Sequence, residues 1–199
     1  MLKITNLSFA FGKKTVIEDL SLELNKGEIL ALMAPSGYGK TTLLGLVAGF
    51  LKPQKGEIEN SFEKVAYVFQ EPRLFPWLTV EENLLAVMNE KDENTAKTVA
   101  QCLALVGLAD AADKYPGELS GGMKSRASLA RALSYGGDLF LLDEPFAALD
   151  EDLRHDLAIK IKDYLRARGA SAILVTHNRE DAEMIADRIL TAQSLTQAE

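Results

Sequence analysis

A buried strand that runs without a break into a glycine loop and then a helix narrows the fold of this chain more than any other feature of its sequence. Glu28-Ile29-Leu30-Ala31-Leu32-Met33 is a short apolar run, Ala34-Pro35-Ser36-Gly37-Tyr38-Gly39-Lys40-Thr41-Thr42 follows at once, and Leu43, Leu44, Leu46 and Val47 then recur at helical spacing. Strand, loop and helix in that order are the setting of a P-loop, whose backbone N–H groups curl around a phosphate while a lysine reaches the terminal phosphates and a hydroxyl holds Mg²⁺. A turn that merely joined strand to helix would need neither the lysine nor the two hydroxyls. The pattern departs from G-x-x-x-x-G-K-[ST] at its first glycine, which is Ala34 here. Alanine at positive φ would cost about 1 kcal/mol, so Ala34 is expected at negative φ.

A second glycine loop, Leu119-Ser120-Gly121-Gly122-Met123, also opens a helical pattern and aims another helix N-terminus at an anion. One nucleotide needs one such loop, so the pair implies that two chains meet around the phosphates. Three further apolar runs, Val65–Phe69, Leu139–Leu142 and Ala172–Val175, read as strands of a parallel sheet covered on both faces. Ligands of such sheets lie beyond the carboxyl ends of the strands, which brings Gln70, Asp143-Glu144 and Thr176-His177 toward the phosphates. The first 30 or so residues alternate apolar and polar around turns at Gly12-Lys13-Lys14 and Asn25-Lys26-Gly27, the mark of an antiparallel region. From about Trp77 to Leu133 the spacing is helical, with Val80, Leu84, Leu85 and Met88 on one face and Val99, Leu103 and Val106 on another. Leu153, Leu157, Ile161 and Leu165 predict a helix started by Asp150 and stopped by Gly169. The expected fold is α/β: a P-loop core with a mostly parallel sheet, an antiparallel β lobe over about 1–30 and a helical lobe inserted over about 77–133, all in one domain spanning 1–199.

A net charge of −7 gives no broad basic face for nucleic acid. The longest uncharged stretch, Thr98 to Ala109, falls short of the roughly 20 apolar residues that span a bilayer. The opening residues read as a strand, not as a signal peptide, so the expected site of action is the cytoplasm. Cys102, the single cysteine, lies in an apolar run and is expected as a buried thiol.

The hydrophobic strand Leu139-Phe140-Leu141-Leu142 ends in two acids and Pro145. Asp143 suits Mg²⁺ through oxygen ligation or a bound water, and Glu144 suits the general base that polarises an attacking water.

Taken in order from Phe11 to His177, these motifs resemble the ATP-binding cassette subunit of ABC transporters, and the likeness covers nearly the whole chain. Leu119–Met123 resembles the family's LSGGQ signature, with Met123 for the usual glutamine. The resemblance implies ATP and Mg²⁺ as cofactors and a head-to-tail homodimer. In it Ser36, Gly37, Tyr38, Gly39, Lys40, Thr41 and Thr42 hold nucleotide in cis, and Ser120, Gly121 and Gly122 contact the γ-phosphate held by the partner. It further implies that Phe11 stacks on adenine, a task for which the ring suffices, although Phe9 is a neighbour of similar patterning. Gln70 matches the glutamine that approaches Mg²⁺ and the attacking water, alongside Thr41 and Asp143. His177 matches the switch histidine, and Ala148-Leu149-Asp150 matches the D-loop, whose aspartate lies at the dimer seam and could equally cap a helix. The stretch Gln70 to Leu84 is similar to that of importer ATPases for nitrate, sulfonates, taurine and pyrimidine precursors. Its exposed Phe75-Pro76-Trp77 beside Arg73 would make a groove for a helix of a transmembrane permease. The resemblance thus implies an ATPase at the cytoplasmic face of the membrane, energising import through separate permease subunits and indirectly a solute-binding protein, without an added regulatory domain after Arg188-Ile189-Leu190. A mechanical ATPase of DNA repair or translation would bring coiled coils or a basic surface, and a non-hydrolysing regulator would not need Lys40, Asp143, Glu144 and His177 together.

Overall fold

The computed structural model describes residues 1–35, 37–88 and 94–191. Strands β1 (Leu2–Phe11) and β2 (Lys14–Leu24) form an antiparallel hairpin that turns at Gly12, φ 60°. β3 (Ile29–Met33) feeds the glycine loop and then α1 (Lys40–Val47). β4 (Lys55–Asn60) pairs antiparallel with the other edge of β1, Ile4 opposite Ile58. β4 is not foreshadowed in the sequence, because Ile58 is the one apolar residue in a strand whose other side chains are exposed, and no alternation announces it.

Next come β5 (Val65–Val68), α2 (Val80–Leu85), α3 (Thr95–Leu105), two single-turn 3₁₀ segments at Ala109–Ala111 and Pro116–Glu118, and α4 (Gly121–Tyr135). The last third alternates β6 (Leu139–Asp143), α5 (Glu151–Arg168), β7 (Ser171–Thr176), α6 (Arg179–Ile185) and β8 (Arg188–Thr191). α5 begins at Asp150, whose carboxylate accepts from Leu153 N–H at 3.0 Å, and ends at Gly169 in the left-handed region, as the sequence predicts. β8 went unread because it is four residues long and half exposed.

β5, β6, β7, β3 and β8 form, in that spatial order, a five-stranded sheet whose pairings are all parallel. Successive side chains of a strand point to opposite faces, and here each face has its own core. Leu30, Leu32, Leu139, Leu141, Ile173 and Val175 pack toward α1 and the antiparallel sheet. Ile29, Ala31, Phe140, Leu142, Ala172 and Leu174 pack toward the helical side, among residues of α2 to α6. That double cover is why these strands read as unbroken apolar runs. Asp138, just before β6, accepts from Glu63 N–H at 3.0 Å and Lys64 N–H at 2.8 Å, which ties the approach to β5 to its neighbour strand. Cys102 lies in the helical-side core, where burial pushes its thiol up to about 11. Among the described residues no helix is long and apolar enough to cross a membrane.

Candidate functional site

The carboxyl ends of β3, β6 and β7 are neighbours in the sheet, so the residues that follow them share one edge. After β3, Gly37 (φ 88°) and Gly39 (φ 79°) take conformations that L side chains rarely adopt. Gly39 is required twice over, since a Cβ there would stand 2.7 Å from Val16 Cγ1 and 2.9 Å from the Val16 carbonyl. Among the described residues the non-glycine positions at positive φ are Asn6, Asp19 and Glu144, so Ala34 is not one of them, as expected from sequence. α1 starts with no side-chain cap and no acid in its first turn, an N-terminus whose partial positive charge is left to an anion. The Lys40 ammonium donates to the carbonyls of Ala34 and Pro35, curling over its own loop.

A cleft of about 350 Å³ lies over that loop. Phe11, Gly37, Gly39, Lys40, Thr41, Thr42, Gln70, Asp143 and Glu144 line it, together with Lys14 and Val16, which sequence reasoning passed over because a lysine after a turn reads as ordinary surface. Ser36 lies outside the described residues. Tyr38 lines an adjoining cavity of about 330 Å³ on the β2 side instead. Phe9 and Phe11 are separated by burial: Phe9 belongs to the core, while Phe11 is exposed and rests edge-on against it at 5.0 Å.

Asp143 is buried at the last position of β6. Burial raises its carboxyl above the ordinary range; a side-chain hydrogen bond with Thr41 opposes that rise, the Glu144 charge adds to it, and the Lys40 charge also opposes it. Its Oδ1 has no hydrogen-bond partner. A hydroxyl and a carboxylate with a free oxygen, both hard donors, fit Mg²⁺. Glu144 follows at φ 50°, its N–H donating to the Val175 carbonyl at 2.9 Å, and its two carboxylate oxygens lie 3.0 and 2.9 Å from His177 Nδ1. His177 directly follows β7 and is largely exposed.

Ser120, Gly121, Gly122 and Asp150 do not line this cleft. Ser120 caps α4, accepting from Met123 N–H at 3.2 Å, and a Cβ on Gly122 would stand 3.0 Å from the Ala148 carbonyl. The second glycine loop therefore packs against Ala148 and Leu149 of its own chain. Met123 is partly buried against the helical-side core.

On another face, Tyr67, Phe69, Arg73, Phe75, Arg131 and Tyr135 border a groove of about 300 Å³. Phe69 stacks on Tyr67 at 4.2 Å with the Arg73 guanidinium over it at 4.2 Å. Asn83, fully buried, accepts from Phe75 N–H and donates to the carbonyls of Phe75, Leu78 and Thr79, pinning the segment that holds Trp77 70% exposed.

The family model described as ABC transporter matches residues 17–147. A ferric-ion import ATP-binding protein of Haemophilus influenzae is 41% identical over 210 residues, covering 97% of this chain and 59% of that protein. An aliphatic sulfonates import ATP-binding protein of Bacillus subtilis is 40% identical over 184 residues, covering 89% of this chain and 72% of its own length. The chain thus spans about six-tenths of the ferric-ion relative. A dimeric bacterial ABC transporter cassette superposes with a TM-score of 0.87 at 27% identity, over 96% of this chain and 94% of the other. A dimer in a post-hydrolysis state bound to ADP and Pi gives 0.85 at 28%, with the same coverage.

Proposed function

The chain belongs to the ABC transporter family, and on that premise we propose that it binds and hydrolyses ATP as the energising subunit of an importer. The observation that carries this reading is the single cleft holding Lys40, Thr41, Asp143 and Glu144, with His177 on the Glu144 carboxylate.

Lys40 exchanges the carbonyls of Ala34 and Pro35 for the terminal phosphates, while the α1 N-terminus and Gly37–Thr42 backbone cradle them. Thr41 and Asp143 would hold Mg²⁺, with Gln70 approaching from the end of β5, and Phe11 would stack on the adenine. A cation held there would supply positive charge against the charge that builds up on the phosphates during transfer. Glu144 accepts a proton from the water that attacks the γ-phosphorus as the bond to the β-phosphate oxygen breaks, giving ADP and phosphate. His177 Nδ1–H holds that carboxylate in place. Ser120, Gly121 and Gly122 serve the γ-phosphate of a second copy in a head-to-tail dimer, with Asp150 at the seam, which accounts for their absence from the chain's own cleft.

The aromatic and arginine groove beside Trp77 suits a helix from a membrane permease, because exposed Trp and Arg anchors are the usual centres of binding energy. That docking would set the chain at the cytoplasmic face, with a solute-binding protein acting through the permease. The test is Mg²⁺-dependent ATP turnover by the full chain, alone and with a candidate permease in membrane vesicles. We expect Lys40→Ala to abolish turnover and Trp77→Ala to weaken permease capture while leaving basal turnover unchanged. A parent chain without ATP turnover, or one that co-purifies with only DNA or ribosomes, would overturn the reading.

A further inference from the structure

Asp181 is a buried carboxylate to which the scheme above gives no task. It sits in the first turn of α6, 4% exposed, one turn beyond His177. Its Oδ2 accepts from the Thr176 hydroxyl at 3.5 Å, and the same hydroxyl accepts from Asn178 N–H at 3.0 Å. Thr176 and Asn178 bracket His177, so this chain of contacts governs the backbone from which the imidazole projects. The Asn178 side chain caps the helix behind it, accepting from Glu180 N–H at 2.8 Å and Asp181 N–H at 3.3 Å.

The other carboxylate oxygen, Oδ1, is buried and has no partner. Arg154 Nε, on the first turn of α5, is buried and has no partner either. The two groups line one cavity between α5 and α6 and lie within electrostatic reach. Burial drives the Asp181 carboxyl up, the Arg154 charge draws it back down, and the Glu144 and Glu180 charges push it up again. Arg154 also reaches the Leu149 carbonyl with Nη2 at 3.5 Å. It thereby touches the Ala148-Leu149-Asp150 loop, against which the second glycine loop packs. A buried carboxylate and a half-buried guanidinium of opposite charge, each with a shielded hydrogen-bonding atom left unpaired, would gain by bonding to each other.

We propose that Asp181 is a positioning residue for ATP hydrolysis, pairing with Arg154 to join the turn that carries His177 to the Ala148-Leu149-Asp150 loop and so setting where the imidazole stands against Glu144. The role rests on the ATPase reading above, but one arm of its test does not. The chain has two histidines, His155 and His177, so ring-proton NMR of the full nucleotide-free chain resolves each one. Asp181→Asn is expected to move the His177 ring signals, and Arg154→Gln to move them likewise, whereas Arg154→Lys restores the parent position. In turnover, each neutral variant is expected to lower kcat about tenfold with KM for ATP within about twofold, because ground-state binding does not use the pair. The double variant should be no slower than the slower single one. Unmoved His177 signals in both neutral variants would overturn the proposal, as would parent-like kcat or a double variant that loses the product of both effects. Arg154 is only half-buried, so its variants keep the test valid if Asp181→Asn fails to fold. Shifted His177 signals in a chain that turns over no ATP would sink the ATPase reading while upholding the positioning role.

Discussion

The Glu144 carboxylate meets His177 Nδ1 at 2.9 Å while the Glu144 backbone is held at φ 50°. A left-handed non-glycine residue persists only when its surroundings hold it, here through the bond from Glu144 N–H to the Val175 carbonyl. A carboxylate only accepts, so Nδ1 is the donor in this contact and Nε2 takes no part in it. Replacing Glu144 by Gln removes the proton acceptor but keeps the shape. We expect ATP turnover to fall by about 10²–10⁴, with ATP affinity measured by fluorescent-nucleotide titration changing less than about threefold. Turnover at the parental rate would remove Glu144 from the role of base.

The glycine loop makes opposite forecasts for two neighbouring small residues. Ala34 is not at positive φ, so Ala34→Gly relieves no strain and ATP affinity should stay within about threefold of the parent. Binding more than about tenfold tighter would show that alanine strains the loop. At Gly39 both the positive φ and the 2.7 Å approach of Val16 forbid a methyl group, and Gly39→Ala should weaken ATP binding by at least about tenfold.

Asp138 forecasts a pH dependence of stability. Burial alone would raise its carboxyl, but the N–H groups of Glu63 and Lys64 more than offset this and hold it below the ordinary range. A depressed folded-state value contributes stability that is full above the unfolded value and is lost as the pH falls through the folded one. Asp138→Ala should therefore unfold more easily by about 1–3 kcal/mol at pH 7. Denaturant titrations of the two proteins should converge as the pH falls below about 4. A gap that stayed constant with pH would exclude the charged form as its source.

Cys102 offers a simple check on the helical-side core. A thiol pushed up to about 11 and shut away from solvent has almost no thiolate at neutral pH. Iodoacetamide at pH 7.5 should modify the folded chain at less than about a hundredth of the rate of the denatured one. Comparable rates would mean that α3 opens readily.

What sequence reveals here divides along physical lines. β3, β6 and β7 were legible because strands covered on both faces must be apolar throughout, and α5 because a capping aspartate and a left-handed glycine bound it. β4 and β8 were not, since a half-exposed edge strand takes its place from pairing with β1 or β3, not from its own pattern. In the cleft, Lys40, Thr41, Asp143, Glu144 and Gln70 were legible as neighbours because each lies at or beyond the carboxyl end of a parallel strand, and the structure brings all five to one lining. Asp181 and Arg154 were invisible for the converse reason: each is an ordinary charged residue at a helix start, and only the packing of α5 against α6 brings them to one cavity with unpartnered buried atoms.

The side-by-side order of β6, β7 and β3 gives the site a mechanical character. Neighbouring strands run about 4.8 Å apart, so Glu144, His177 and the glycine loop hang from three adjoining rungs although 34 and 177 are far apart along the chain. Amides in such fully covered rungs exchange with solvent only when the molecule opens as a whole. The segment from Phe75 to Leu78 lies on the surface, anchored through the amide of Asn83. A push delivered at Trp77 thus passes first through a surface segment tied down at one buried amide, and only then reaches rungs whose spacing the covered sheet holds fixed.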